Sequence, residues 1–98
     1  MKNEQKESEK YRSSVRIYVD ILEVIISDES VGPTKILYKS NLSSSRLKKY
    51  LLKLIDLGLI ECTKNGDKLY YRITEKGIKY LDEFRKFKMF SDAFGISI

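Results

Sequence analysis

Cysteine occurs once in this chain and histidine not at all, and the two shortages together remove whole classes of chemistry. A lone Cys62 closes no intrachain disulfide, a Cys/His zinc site lacks its ligands, and neither a Ser-His nor a Cys-His catalytic pair is available. Cys62 lies between Ile60 and Lys64 in a strand-like stretch, which predicts a small buried apolar side chain rather than a reactive thiol. Paired carboxylates and a glycine-rich phosphate cradle are missing too, and Gly32, Gly58, Gly66, Gly77 and Gly95 each read as punctuation between elements. An enzyme is therefore not expected, and the residues suggest no cofactor, metal or small-molecule ligand. No apolar run reaches about 18 residues and no basic-then-apolar leader precedes the first element, so neither a membrane span nor a secretory signal is expected. The expectation is a soluble, cytoplasmic protein.

The 98 residues suffice for one core of ordinary size, so one domain is expected. A net charge of +5 fits nucleic acid, an acidic protein or an anionic surface equally well, and its distribution says more than its size. Residues 1–32 sum to −2, residues 33–73 to +6 and residues 74–98 to +1. The cationic excess is confined to the middle.

Residues 1–12 are polar without an apolar period and read as a flexible arm or a frayed helix start. From about Ser13 to Asp28, Val15, Tyr18, Val19, Leu22, Ile25 and Ile26 repeat at helical spacing beside a second stripe of Ile17, Ile21 and Val24. Such a helix needs cover on two sides, from its own fold or partly from a second subunit. Val31-Gly32-Pro33 forms a turn, and Pro33 suits the first position of a short helix anchored by Ile36 and Leu37, with Tyr38 as a further candidate. Lys39-Ser40-Asn41 ends it, Asn41 tolerating the left-handed conformation of a tight turn and Leu42 plugging that turn from inside.

Ser43 is placed to cap a third helix whose buried stripe is Leu47, Tyr50, Leu51, Leu54 and Leu57, stopped by Gly58. Its opposite face carries Ser45, Arg46, Lys48, Lys49 and Lys53. Leu59–Thr63 and Leu69–Thr74 read as strands with Ile60 and Cys62 facing inward opposite Leu69, Tyr71 and Ile73, while Tyr70 points outward. Asn65-Gly66 between them predicts a type I′ hairpin turn. Thr74 caps a last helix from about Glu75 to Asp92, which returns Ile78 and Leu81 to the core. Tyr80, Phe84, Phe87 and Phe94 form a second, aromatic seam on it.

Helix, short helix, tight turn, basic helix, hairpin, helix is the plan of a winged helix-turn-helix, a mostly helical α+β fold with a two-stranded wing. The expected layout is an arm over 1–12, the winged domain over 13–74 and a C-terminal helix and tail over 75–98. A B-form major groove is about 12 Å wide and admits one helix. Ser43, Ser44, Ser45, Arg46, Lys48 and Lys49 become candidate contacts, with Arg46 suited to a guanine edge and the serines to a phosphate. Lys64, Asn65, Lys68 and Arg72 would meet neighbouring backbone or minor groove, with Lys35 and Lys39 touching backbone across the turn. A merely solvated cationic face would intersperse acids, and this helix has only Asp56, near its end.

The strings Thr34-Lys35-Ile36-Leu37-Tyr38-Lys39-Ser40-Asn41-Leu42-Ser43, Leu54-Ile55-Asp56-Leu57-Gly58-Leu59-Ile60 and Ile73-Thr74-Glu75-Lys76-Gly77 resemble the small archaeal winged-helix DNA-binding proteins, chromatin-type or regulator-like proteins of thermoacidophiles. The resemblance covers about residues 14–88. It implies a nucleoid-associated protein or transcription regulator that is a homodimer joined through a C-terminal helix in an antiparallel coiled coil. This chain has a shorter C-terminal segment and a longer N-terminal one. The subunit contact would then use Tyr80, Phe84, Phe87 and Phe94 alone, or with Ile17, Ile21 and Val24. An alternative is a protein–protein interaction module that uses the aromatic seam.

Overall fold

A computed structural model describes residues 12–98. The expected arm over 1–12 lies outside the described residues except for Arg12. That residue is tied down: its guanidinium pairs with Asp20 at 2.6 Å and donates to the Ser40 carbonyl at 3.0 Å. Along the described residues run α1 (Ser14–Ile26), α2 (Pro33–Ser40), α3 (Ser44–Asp56), β1 (Ile60–Asn65), β2 (Lys68–Ile73) and α4 (Glu75–Ala93).

Helix α1 is the centre of the molecule. Ile17, Val19, Ile21, Leu22 and Ile25 are all buried, and they spread too widely around the axis for one neighbour to cover. The helix packs against α2, α4 and β2, which supplies cover on both sides. Ile17 and Ile21 are at most 1% exposed within the chain itself, so they present no surface to a second subunit, contrary to expectation. Val24 is half-buried against the same core. Val15 and Ile26, at the helix ends, are exposed.

Helix α2 starts at Pro33, with Gly32 at the cap position, where the missing amide costs no helical hydrogen bond. Ile36 is buried, whereas Tyr38 is 84% exposed and anchors nothing. Asn41 ends the helix with φ 58 and ψ 46, the left-handed conformation Asn tolerates. Leu42 then turns into the core.

The wing is an antiparallel pair in which Ile60 faces Ile73, Cys62 faces Tyr71 and Lys64 faces Leu69. Only the base of this inner face is sealed. Ile60 and Tyr71 are buried while Leu69 is 38% exposed, and Cys62 is exposed, so the expected burial of its thiol fails because no described residue covers the outer part of the ladder. The tip differs too. Asn65 pairs with Lys68, leaving Gly66 and Asp67 as central residues, and of these only Gly66 has positive φ (65°). That is the φ pattern of type II′, which needs glycine at the first central position. Val31 adds a one-residue bridge beside the wing, exchanging backbone hydrogen bonds with Tyr71 at 3.0 and 2.7 Å.

Helix α4 is fastened to the preceding elements by its first turn. Thr74 Oγ1 accepts from the Gly77 amide and donates to the Gly58 carbonyl, while the Thr74 amide donates to the Leu59 carbonyl. Gly77 is buried in this junction. A Cβ there would run into the Leu59 carbonyl and stand 2.7 Å from Ile73 Cγ1, so the residue is a contact surface rather than punctuation. Gly77 and Leu81, four residues apart, face inward, which rotates Ile78 off the core to 43% exposure. Gly77→Ala is expected to cost about 2 kcal/mol or more through overpacking against backbone. Thermal unfolding followed by circular dichroism should show a midpoint lowered by about 10 °C, and an unchanged midpoint would contradict the junction described.

Candidate nucleic-acid interface

Helix α3 is seated by one side and open on the other. Leu47, Leu51 and Leu54 are buried, Tyr50 is half-buried, and Leu57 at the end of the expected stripe is 43% exposed. Tyr50 meets Tyr18 of α1 edge-to-face at a centroid distance of 5.1 Å. Burial holds the Tyr18 phenol above its ordinary range, with Tyr50 and Tyr80 adding to the shift. Each buried leucine contributes about 2 kcal/mol, enough together to fix which side of α3 meets solvent.

Ser43 sits at the cap in extended conformation (φ −72, ψ 158), and its hydroxyl accepts from the Arg46 amide. The first turn contains no acidic residue, so the positive end of the helix dipole is left uncompensated. Ser43, Ser44, Ser45, Arg46, Lys48, Lys49 and Lys53 are all exposed. None of these cations forms an ion pair with another described residue. A row of exposed cations, with Leu52 exposed among them, thus runs along a helix whose far side is locked.

The remaining expected contacts divide between places. Lys64 lies on the inner face of the wing, since it shares a side with Ile60 and Cys62, whereas Lys68 and Arg72 share the outer face with Tyr70. Arg72 stands across from Glu61 in the ladder without an ion pair between them among the described residues. Asn65 is exposed beside the turn. Lys39 is exposed and unpaired with any described residue, while Lys35 is held by Asp28 and is the one expected cation already engaged. Lys53 was not among the expected contacts, although its place on the basic face was visible from spacing.

The aromatic seam of α4 splits in two. Tyr80 and Phe84 are packed against the core, and Arg16 lies 5.8 Å over the Phe84 ring, so both are turned to their own domain. Phe87 and Phe94 are 56% and 68% exposed, and Phe90 and Met89, neither of them expected, are 63% and 73% exposed. Phe90 and Phe94 stack edge-to-face. The apolar side chains at 87, 90 and 94 follow one face of the distal half of α4.

Comparison with solved structures places this arrangement among known folds. Sso10a-2, a DNA-binding protein from Sulfolobus solfataricus, is 25% identical with a TM-score of 0.74, over 85% of each chain. A winged-helix DNA-binding protein from STIV is 21% identical with a TM-score of 0.61, over 78% of this chain and 89% of that one. ZitR of Lactococcus lactis, solved in complex with DNA, is 23% identical with a TM-score of 0.58, over 82% of this chain and 55% of that one. No curated protein sequence matches the chain. Residues 11–91 match the winged helix-turn-helix family.

The cap at the head of the basic strip is open to measurement. Ser43→Ala is expected to lower stability by about 1 kcal/mol and Ser43→Gly by only a few tenths, since glycine leaves the cap to water. Urea unfolding checks both, and equal losses would speak against the capping bond.

Proposed function

Because this chain belongs to the winged helix-turn-helix family, we propose that it binds double-stranded DNA, with α3 in the major groove and the β1–β2 hairpin against the adjoining backbone. The observation that carries this reading is the strip of exposed cations on α3, unpaired among the described residues, opposite leucines that hold the helix in place. Arg46 offers a bidentate fork to a guanine edge, Lys48 and Lys49 neutralise phosphates or reach bases, and the Ser43–Ser45 turn receives a phosphate at the helix start. Lys64, Lys68 and Arg72 on the wing, with Asn65 at its tip, grip backbone on either side of the hairpin, and Lys39 meets the strand that crosses the turn. Lys35 joins them only by leaving Asp28. The DNA-binding description of Sso10a-2, which is 25% identical over 85% of each chain, supports the same reading. The role that follows is a transcription regulator or nucleoid-associated protein of the cytoplasm, acting without catalysis. No helix among the described residues is long and apolar enough to cross a membrane.

A second copy of the chain is the partner we assign to the distal half of α4. Phe87, Phe90 and Phe94 leave a contiguous apolar face in water, and monomeric domains rarely tolerate such a patch unless it is an interaction site. Two antiparallel copies of α4 would cover it, with Tyr80, Phe84 and Val24 buttressing from each core. Such a pair would carry two α3 helices, one for each of two half-sites.

Both parts are testable. Fluorescence anisotropy with a short duplex should show affinity falling steeply with salt, with a log-log slope of roughly −0.9 for each phosphate contacted. The Lys48→Glu, Lys49→Glu double variant should bind at least tenfold more weakly and titrate with a slope shallower by roughly 1.8, the two lost contacts. Retained affinity in that variant would remove α3 from the groove. Light scattering on the native chain should give the mass of two copies, and Phe87→Asp with Phe94→Asp should give one copy with an unchanged circular dichroism spectrum. A native monomer at high concentration would refute the dimer.

A further inference from the structure

Between α2, α3 and the inner face of the wing lies an open groove of about 400 Å³, within the range of small-molecule sites. Leu37, Leu47, Leu51, Leu52, Ile55 and Leu69 make up half of its lining residues. Two of them are left substantially in water, Leu52 at 57% and Leu69 at 38% exposure. The polar groups are few, and those of Thr34, Ser44 and Lys48 come from α2 and the first half of α3. Lys48 is the one charged side chain on the lining, and Ser44 and Thr34 bring hydroxyls to it. Lys48 forms no ion pair with a described residue.

An apolar groove with one cation that no described residue neutralises selects for a molecule with both properties. A neutral hydrocarbon would fill the trough and leave the ammonium unused, and a bare phosphate would take the ammonium and leave the leucines wet. We propose that the groove binds an amphipathic anion, namely a free medium-chain carboxylate, with its alkyl body along Leu51, Leu52 and Leu69 and its carboxylate on Lys48 Nζ. Covering the leucines supplies about 25 cal/mol for each Å² withdrawn from water, and the charge pair fixes the orientation. Occupancy would also draw Lys48 away from a duplex. That consequence rests on the proposed DNA binding, whereas the binding of the carboxylate does not.

Cys62, the only cysteine, is exposed on the same wall and reports occupancy without DNA present. Its alkylation by neutral iodoacetamide can be followed by intact mass. Octanoate, below its micellar concentration, is expected to slow alkylation saturably. Octanol, the same chain without the charge, should need about fivefold more for equal protection, the worth of one partly exposed ion pair. Lys48→Gln should erase the difference between the two ligands. Leu52→Glu, at a position open enough to leave the fold unchanged by circular dichroism, should abolish protection by octanoate. An alkylation rate unaffected by octanoate, or equal protection by octanoate and octanol in the native chain, overturns the proposal. Neither result touches DNA binding, which the lysine double variant reads separately.

Discussion

Where α4 crosses the start of β1, the two backbones come closer than any side chain permits, and the placement of α3, the wing and α4 hangs on that approach. Thr74 and Gly77 close it from one side and the Gly58 and Leu59 carbonyls from the other. Gly58, with φ of 78°, turns the chain out of α3 and into β1 within two residues. One junction therefore fixes the end of α3, the base of the hairpin and the start of α4. The cations of α3 and those of the wing hold a constant relation because their supports meet there.

From this junction the molecule separates into a sealed half and an unsealed one. On the sealed side, α1 is wrapped by α2, α4 and β2, and the ion pairs Arg12–Asp20 and Arg85–Glu23 lie over the seams. On the unsealed side, the outer ladder of the wing, the groove beneath α3 and the distal half of α4 all leave apolar surface in water. A chain of this length cannot cover every face of the six described elements. The faces left open are those that face outward from the junction, where a duplex, a small ligand or a second copy has access.

Much of this was legible in the residues, because caps and turns are written locally. Pro33 at a first turn, Asn41 in the left-handed region, Ser43 and Thr74 at caps and Gly58 as a stop all act through the nearest few atoms of backbone. The basic side of α3 was legible for a related reason: 3.6-residue spacing separates it from Leu47, Leu51 and Leu54 without reference to the rest of the fold. What was not legible depends on distant cover. Strand alternation places Cys62 on the inner face but does not say whether anything covers that face. The double stripe of α1 does not reveal that α2, α4 and β2 between them bury Ile17 and Ile21 completely. Asn-Gly serves two hairpin turns, and the pairing of Asn65 with Lys68 chose the other one. Leu52, apolar yet off the stripe of its helix, was the available sign of the groove. The steric demand at Gly77 had no local sign at all.

The single bridge between Val31 and Tyr71 joins the chain just ahead of α2 to the middle of the hairpin. With it the wing is braced at two points, at its root and partway along its length, and so does not swing as a flap. A clamp stiffened in this way keeps one span between its jaws. In the proposed complex any bending would then fall to the double helix, whose compliance differs from one base step to another.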